Sequence, residues 1–135
     1  MEDSSMCEPR RLVLLVCVLV CCGCGQKKST DELVHDLKTG NEKDRLIAVR
    51  LLPQRKGDAE QVVPVLVEAL RDHEGDIRWS AAIGLGNFGE QAAGAIPALK
   101  DALDDHDARV REAAGVALSR IDPKQFPEAS SGAAK

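Results

Sequence analysis

Apolar residues recur at helical spacing in three blocks of this chain, and the blocks superpose at one fixed offset. Leu37, Leu70 and Leu103 fall in register, as do Ala48, Ala81 and Ala114, and then Leu52, Leu85 and Leu118. Arg45, Arg78 and Arg111 keep the same step, which Pro64 and Pro97 set at 33 residues. Inside each block the apolar positions return every three or four residues, as the buried stripe of an amphipathic helix does. Two such stripes per block, with turn residues between them, predict an all-α fold. The architecture expected is a short α-solenoid of about three stacked helix pairs sharing one core.

Local signals place the helix ends. Ser29 and Glu32 have capping-box spacing, so the first helix is expected to start there and run to Lys38. Gly40-Asn41 breaks it, and Asn41 is placed to cap the second helix. In the next block Val63, Leu66, Val67 and Leu70 form a stripe interrupted by Pro64, and Asp76 is expected to cap the following helix. In the third block Ile96, Leu99 and Leu103 should face inward after Pro97, and a last helix should run from Asp107 or Ala108 to Ile121. The repeat domain then spans 30–121, in units of about 30–57, 58–89 and 90–121. Residues 122–135 lack periodicity and are expected to form a disordered tail, with Phe126 covering the last unit.

The chain opens differently. Arg10-Arg11 precede the apolar run LVLLVCVLVCC at 12–22, which Gly23-Cys24-Gly25-Gln26 follows. A basic start, a short apolar centre and small residues at its end are the parts of an export signal. The run is about half the ~20 residues a bilayer-spanning helix needs. All five cysteines of the chain lie within or before this segment, so the repeats hold neither a disulfide nor a thiolate metal site. The segment 1–24 resembles a bacterial lipoprotein signal, which implies lipidation at Cys24, with Cys22 as the alternative, and a short tether at 25–29. That resemblance implies an exported protein held by lipid on a membrane, on the periplasmic side or in the cell envelope.

Composition narrows the chemistry further. Aromatic residues are only 2%, so Ala, Val, Leu and Ile must build the core. Charged residues are 30%, with acids and bases interspersed and a net charge of −4. No Lys/Arg run exceeds two, and none is followed by an aromatic, so nucleic acid is not an expected partner. There is no Gly-rich phosphate loop: Gly84, Gly86 and Gly89 fall within or just after a helix. No nucleophile–base order stands out either, and no cofactor is expected.

Two stretches carry a family resemblance. VPVLVEALRDHEGDIRWSAAIGLGNFG and IPALKDALDDHDARVREAAGVALSRI look like HEAT repeats of the HEAT-like, bilin-lyase type. The shared pattern has Pro opening the first helix (A), Asp in the turn, then Val/Ile-Arg, two small residues and Leu in the second (B). The first unit departs from it, with Asp44 before the Arg and Thr39 at the turn position of Asp72 and Asp105. The resemblance implies a structural ladder of Asp72, Arg78, Asp105 and Arg111 linking neighbouring units. Some HEAT-like proteins, the deoxyhypusine hydroxylases, hold iron through His-Glu pairs. In this chain His73, Glu74 and His106 fall in the turns instead of that place in helix B, so they stand as the candidate metal ligands of an alternative enzymatic reading. The bilin-lyase likeness gives a second enzymatic alternative.

The surface offers the main functional expectation. At 100° per residue, Trp79 and Ile83 point away from the buried stripe of their helix, and the same offsets pick out Leu46 and Arg50, and Glu112 and Val116. Exposed apolar groups in a row mark partner sites, and Trp is a frequent hot spot. The expectation is a non-enzymatic scaffold or binding module presenting this strip to a protein or peptide. A further possibility is that the chain adds units to a longer array made by another subunit.

Overall fold

A computed structural model describes residues 27–127. Six α-helices are found among the described residues: α1 Thr30–Thr39, α2 Glu42–Leu51, α3 Ala59–Ala69, α4 Gly75–Phe88, α5 Ile96–Asp101 and α6 Ala108–Ile121. Short 3-10 segments join them, the longest being Gly89–Ala95. The helices form three antiparallel pairs, and no strand occurs among the described residues. The signal segment and Cys24 and Cys22 lie outside the described residues.

Capping explains most of the helix starts. The Ser29 hydroxyl accepts from the Glu32 amide at 3.2 Å, and the Glu32 carboxylate accepts from the Ser29 amide at 2.7 Å. Asn41 caps α2 by accepting from the Asp44 amide at 3.0 Å, and Asp107 caps α6 by accepting from the Arg109 amide at 2.9 Å. Asp76 does not cap α4. That helix starts two residues earlier, with Glu74 at its N-cap and Asp76 inside its first turn. There the Asp76 carboxylate is turned towards Arg109 of the next unit instead, at 2.9 Å. Pro64 lies within α3, whose helix continues through it with the proline on the exposed side. Pro97 sits in the first turn of α5, where its missing N–H costs nothing.

The B helices α2, α4 and α6 lie side by side, and α1, α3 and α5 back them. The expected stripes are the core: Ile77, Ala81, Leu85 and Phe88 of α4, and Val110, Ala114, Ala117, Leu118 and Ile121 of α6, are all buried. Small residues let the B helices approach closely. A Cβ placed on Gly84 would lie 2.6 Å from Pro53 Cγ, and one on Gly86 would lie 3.1 Å from Ala117 Cα. The central helix is therefore locked against its neighbours on both flanks.

Two expectations fail at the C-terminal end. Leu103 is 39% exposed, whereas its counterparts Leu37 and Leu70 are buried. α5 ends at Asp101 and tightens into the 3-10 turn Ala102–Asp104, but the second unit closes through the same bond, Asp72 amide to Ala69 carbonyl at 3.2 Å, with Leu70 buried. Leu103 is exposed because no further unit among the described residues covers it. Residues 122–127, expected in the disordered tail, fold back: the Phe126 amide donates to the Asp122 carbonyl at 3.0 Å. The Phe126 ring packs on the core with Lys100 Nζ 5.2 Å from its centroid, as its apolar surface requires. Residues 128–135 lie outside the described residues.

Candidate functional site

The A–B turns of the second and third units are each closed by their own aspartate. Asp72 Oδ1 accepts from the Glu74 amide at 2.9 Å, and Asp105 Oδ1 accepts from the Asp107 amide at 2.8 Å. The same carboxylates then receive an arginine from the preceding unit. Arg45 Nη1 donates to Asp72 at 2.8 Å, and Arg78 donates to Asp105 from Nε at 2.8 Å and from Nη2 at 3.0 Å. One side chain thus shapes its own turn and clamps its neighbour.

Arg78 is the most fully engaged. Besides Asp105, its Nη1 donates to the Asp72 and His73 carbonyls at 2.8 and 3.1 Å, and its Nη2 lies 3.0 Å from His106 Nε2. A guanidinium has five N–H donors in a fixed fork, and here each has an acceptor. That is why a charged residue only 5% exposed is tolerated. Arg111 behaves differently from the expected ladder member. Its Nη1 donates to the Asp105 and His106 carbonyls of its own turn at 2.8 and 3.2 Å, but among the described residues it has no carboxylate partner. The ladder is Arg45–Asp72 and Arg78–Asp105, with Arg111 at its open end. Arg45 was legible as the residue in register with Arg78, yet lies one unit before the carboxylate it serves.

The Asp105 carboxyl is held below the ordinary carboxylate range, first by the hydrogen bonds from Arg78 and then by the Asp107 amide, against the opposing effect of burial. A carboxyl depressed in the folded state contributes fully above its unfolded value near 3.8, and that contribution is lost as pH falls through this value towards the folded one. Urea unfolding between about pH 5 and about pH 3 is therefore expected to show falling stability, with a shallower fall for Asp105→Asn. Equal slopes for the two proteins would contradict the clamp.

The candidate metal ligands are spread along this ladder. His73 Nε2 lies 3.4 Å from Arg45 Nη2, and His106 Nε2 faces Arg78 as described. Each of these lone pairs already faces a guanidinium, a poor setting for a cation. Glu74 lies beside His73 with its carboxylate 3.3 Å from the ring, but His106 belongs to the next turn. Among the described residues no three His, Cys, Asp or Glu side chains converge as a metal site would need.

The B-helix surface does bring most of the expected strip together. Trp79 and Ile83 form a divide on α4, with Trp79 half-buried and Ile83 36% exposed. On one side lies a groove of about 450 Å³ between α4 and α6, walled by Arg109, Glu112, Val116 and Arg120. On the other, a groove of about 520 Å³ between α2 and α4 is walled by Arg50, Pro53, Gln54 and Asn87. Leu46 stands apart: it packs against the core and lines neither groove. Sequence reasoning missed Arg109 and Arg120, although each lies 33 residues from the partner it meets, Asp76 at 2.9 Å and Asn87 at 3.3 Å. It also missed Ser80 beside the α2–α4 groove, whose buried Oγ has no hydrogen-bond partner among the described residues.

No helix among the described residues is long and apolar enough to cross a membrane. Compared with known families, the chain matches the family model for HEAT repeats over residues 30–125. No curated protein matches it.

Proposed function

Because this chain belongs to the HEAT-repeat family, whose repeats commonly mediate protein interaction or scaffolding, we propose that it is a non-enzymatic protein- or peptide-binding module. It is tethered through lipid on Cys24, or on Cys22, to the exported side of a membrane. The paired grooves on either side of Trp79 carry this reading. Each has the volume of a few side chains, which suits a peptide segment or a protruding loop. Trp79 supplies rigid apolar area at the centre, and Arg50, Glu112 and Arg120 supply a polar rim.

Crosslinking of the full chain in membranes of its own cell, followed by capture, tests both halves. Trp79→Ala is expected to weaken capture of the partner by roughly thirtyfold, the loss of a typical hot spot of about 2 kcal/mol. Cys24→Ala is expected to release the protein from the membrane fraction; release by Cys22→Ala alone would move the lipid to that residue. A Trp79→Ala protein of unchanged stability that keeps every partner would end the binding assignment.

A further inference from the structure

We propose that the C-terminal end of the array is a docking site for a further helix pair from another protein, one that offers an aspartate in its turn to Arg111. The proposal concerns the end of the stack and stands apart from the grooves beside Trp79.

The chain itself supplies the template. Arg78 uses Nη1 on its own turn carbonyls and presents Nε and Nη2 to the next unit, where Asp105 receives both. Arg111 has its Nη1 on the corresponding carbonyls, Asp105 and His106, at nearly the same distances. Its remaining donors have no acceptor among the described residues. The guanidinium is thus already oriented by the bonds that orient Arg78, and its outward edge is a two-pronged carboxylate receptor. Leu103 adds an apolar contact at the same end. Its counterparts Leu37 and Leu70 are 6% and 5% exposed, and it is 39% exposed. Charged fork and apolar knob together match what the second and third units offer to each other.

A second copy of this chain does not fit. Stacked head to tail in the same register, its first unit would bring Thr39 to Arg111, where the ladder needs an aspartate. It would also bring Lys43 to Arg109, the register at which Asp76 meets Arg109 within the chain. Neither arginine gains an acid, and one meets a like charge. Arg109 already has Asp76 and Asp107, so the occupant is a different helix pair that must bring an acid opposite Arg111 and no cation opposite Arg109.

The second unit of this chain has the required acid, Asp72, and no cation at the other position. A peptide of residues 58–89, covalently stapled between its two helices and shown to be helical by circular dichroism before use, is therefore a suitable probe. Binding of the labelled peptide to the full-length protein in detergent is read by fluorescence anisotropy. We expect saturable binding, weakened about tenfold or more by Asp72→Asn in the peptide or by Arg111→Ala in the protein. Combining the two should cost little beyond either alone, because both remove one pair. Arg111→Lys, which keeps the charge and loses the fork, should also bind weakly, and thermal melting checks that each variant remains folded. Failure of the parent peptide to bind, or equal binding by the Asp72→Asn peptide, would overturn the proposal. So would additive losses in the combined variant. Trp79→Ala should leave peptide binding unchanged; a loss there would place the peptide in the grooves.

Discussion

Arg78→Ala is expected to destabilise the repeat domain by about 3–5 kcal/mol, the usual cost of removing one partner from a buried charged pair. The alanine leaves Asp105 only 10% exposed beside an empty space, and strips the Asp72 and His73 carbonyls of their donor. Small domains are stable by only about 5–15 kcal/mol in total, so this loss consumes much of the reserve. Arg78→Lys keeps the positive charge but offers three donors on one atom, which cannot span a carboxylate and two carbonyls. It should therefore also be clearly destabilising. Arg111→Ala, at the equivalent position one unit later, should cost about 1 kcal/mol or less, since that side chain is exposed and unpaired with any described carboxylate. Urea denaturation of the three variants measures the contrast. Equal losses for Arg78→Ala and Arg111→Ala would show that the bonds to the turn carbonyls, and not the clamp between units, carry the energy.

Gly84→Val is expected to cost about 3 kcal/mol, at the upper end for overpacking a close-packed interface. Helix propensity alone points the other way, because glycine is the weakest of the non-proline residues inside a helix. Geometry decides the sign. The first added carbon already falls 2.6 Å from Pro53 Cγ and 3.2 Å from Leu66 Cδ1, and a proline ring cannot swing aside as the tip of a long side chain can. Two methyl groups beyond it have nowhere to go without separating α4 from α2. A calorimetric melting temperature lower by about 10 °C or more would agree with that loss. A value at or above that of the parent would mean that the turn following α2 yields at Pro53.

Much of this architecture was legible from periodicity, because a buried stripe repeats wherever one helix must cover the next. The inward faces of α4 and α6 could be named residue by residue, as could the Ser29–Glu32 box and the Asn41 cap. What escaped notice depended on relations between units. Asp76 looked like a cap within its own helix, and only the stacked structure shows that its carboxylate is better served by Arg109. Arg111 matched Arg78 in sequence, yet its partner would have to lie beyond the repeats described, so identical local sequence produced an exposed residue in place of a buried one. Leu103 and Leu46 also depended on neighbours: no described unit follows to cover the first, and side packing covered the second. The grooves beside Trp79 lie where successive units meet, and a single helical wheel draws only one unit at a time.

The clamps also bear on how quickly this chain finds its shape. Arg45 reaches Asp72, and Arg78 reaches Asp105, across the same separation of 27 residues. Each closure orders a short loop, and extending the chain by a unit adds another of equal length instead of one that spans the whole. Such local topology belongs to the fast class of folding kinetics, microseconds to milliseconds, in which growth from any formed pair proceeds by nearest-neighbour addition. A chain emerging from one end can therefore consolidate unit by unit, without waiting for its last residues.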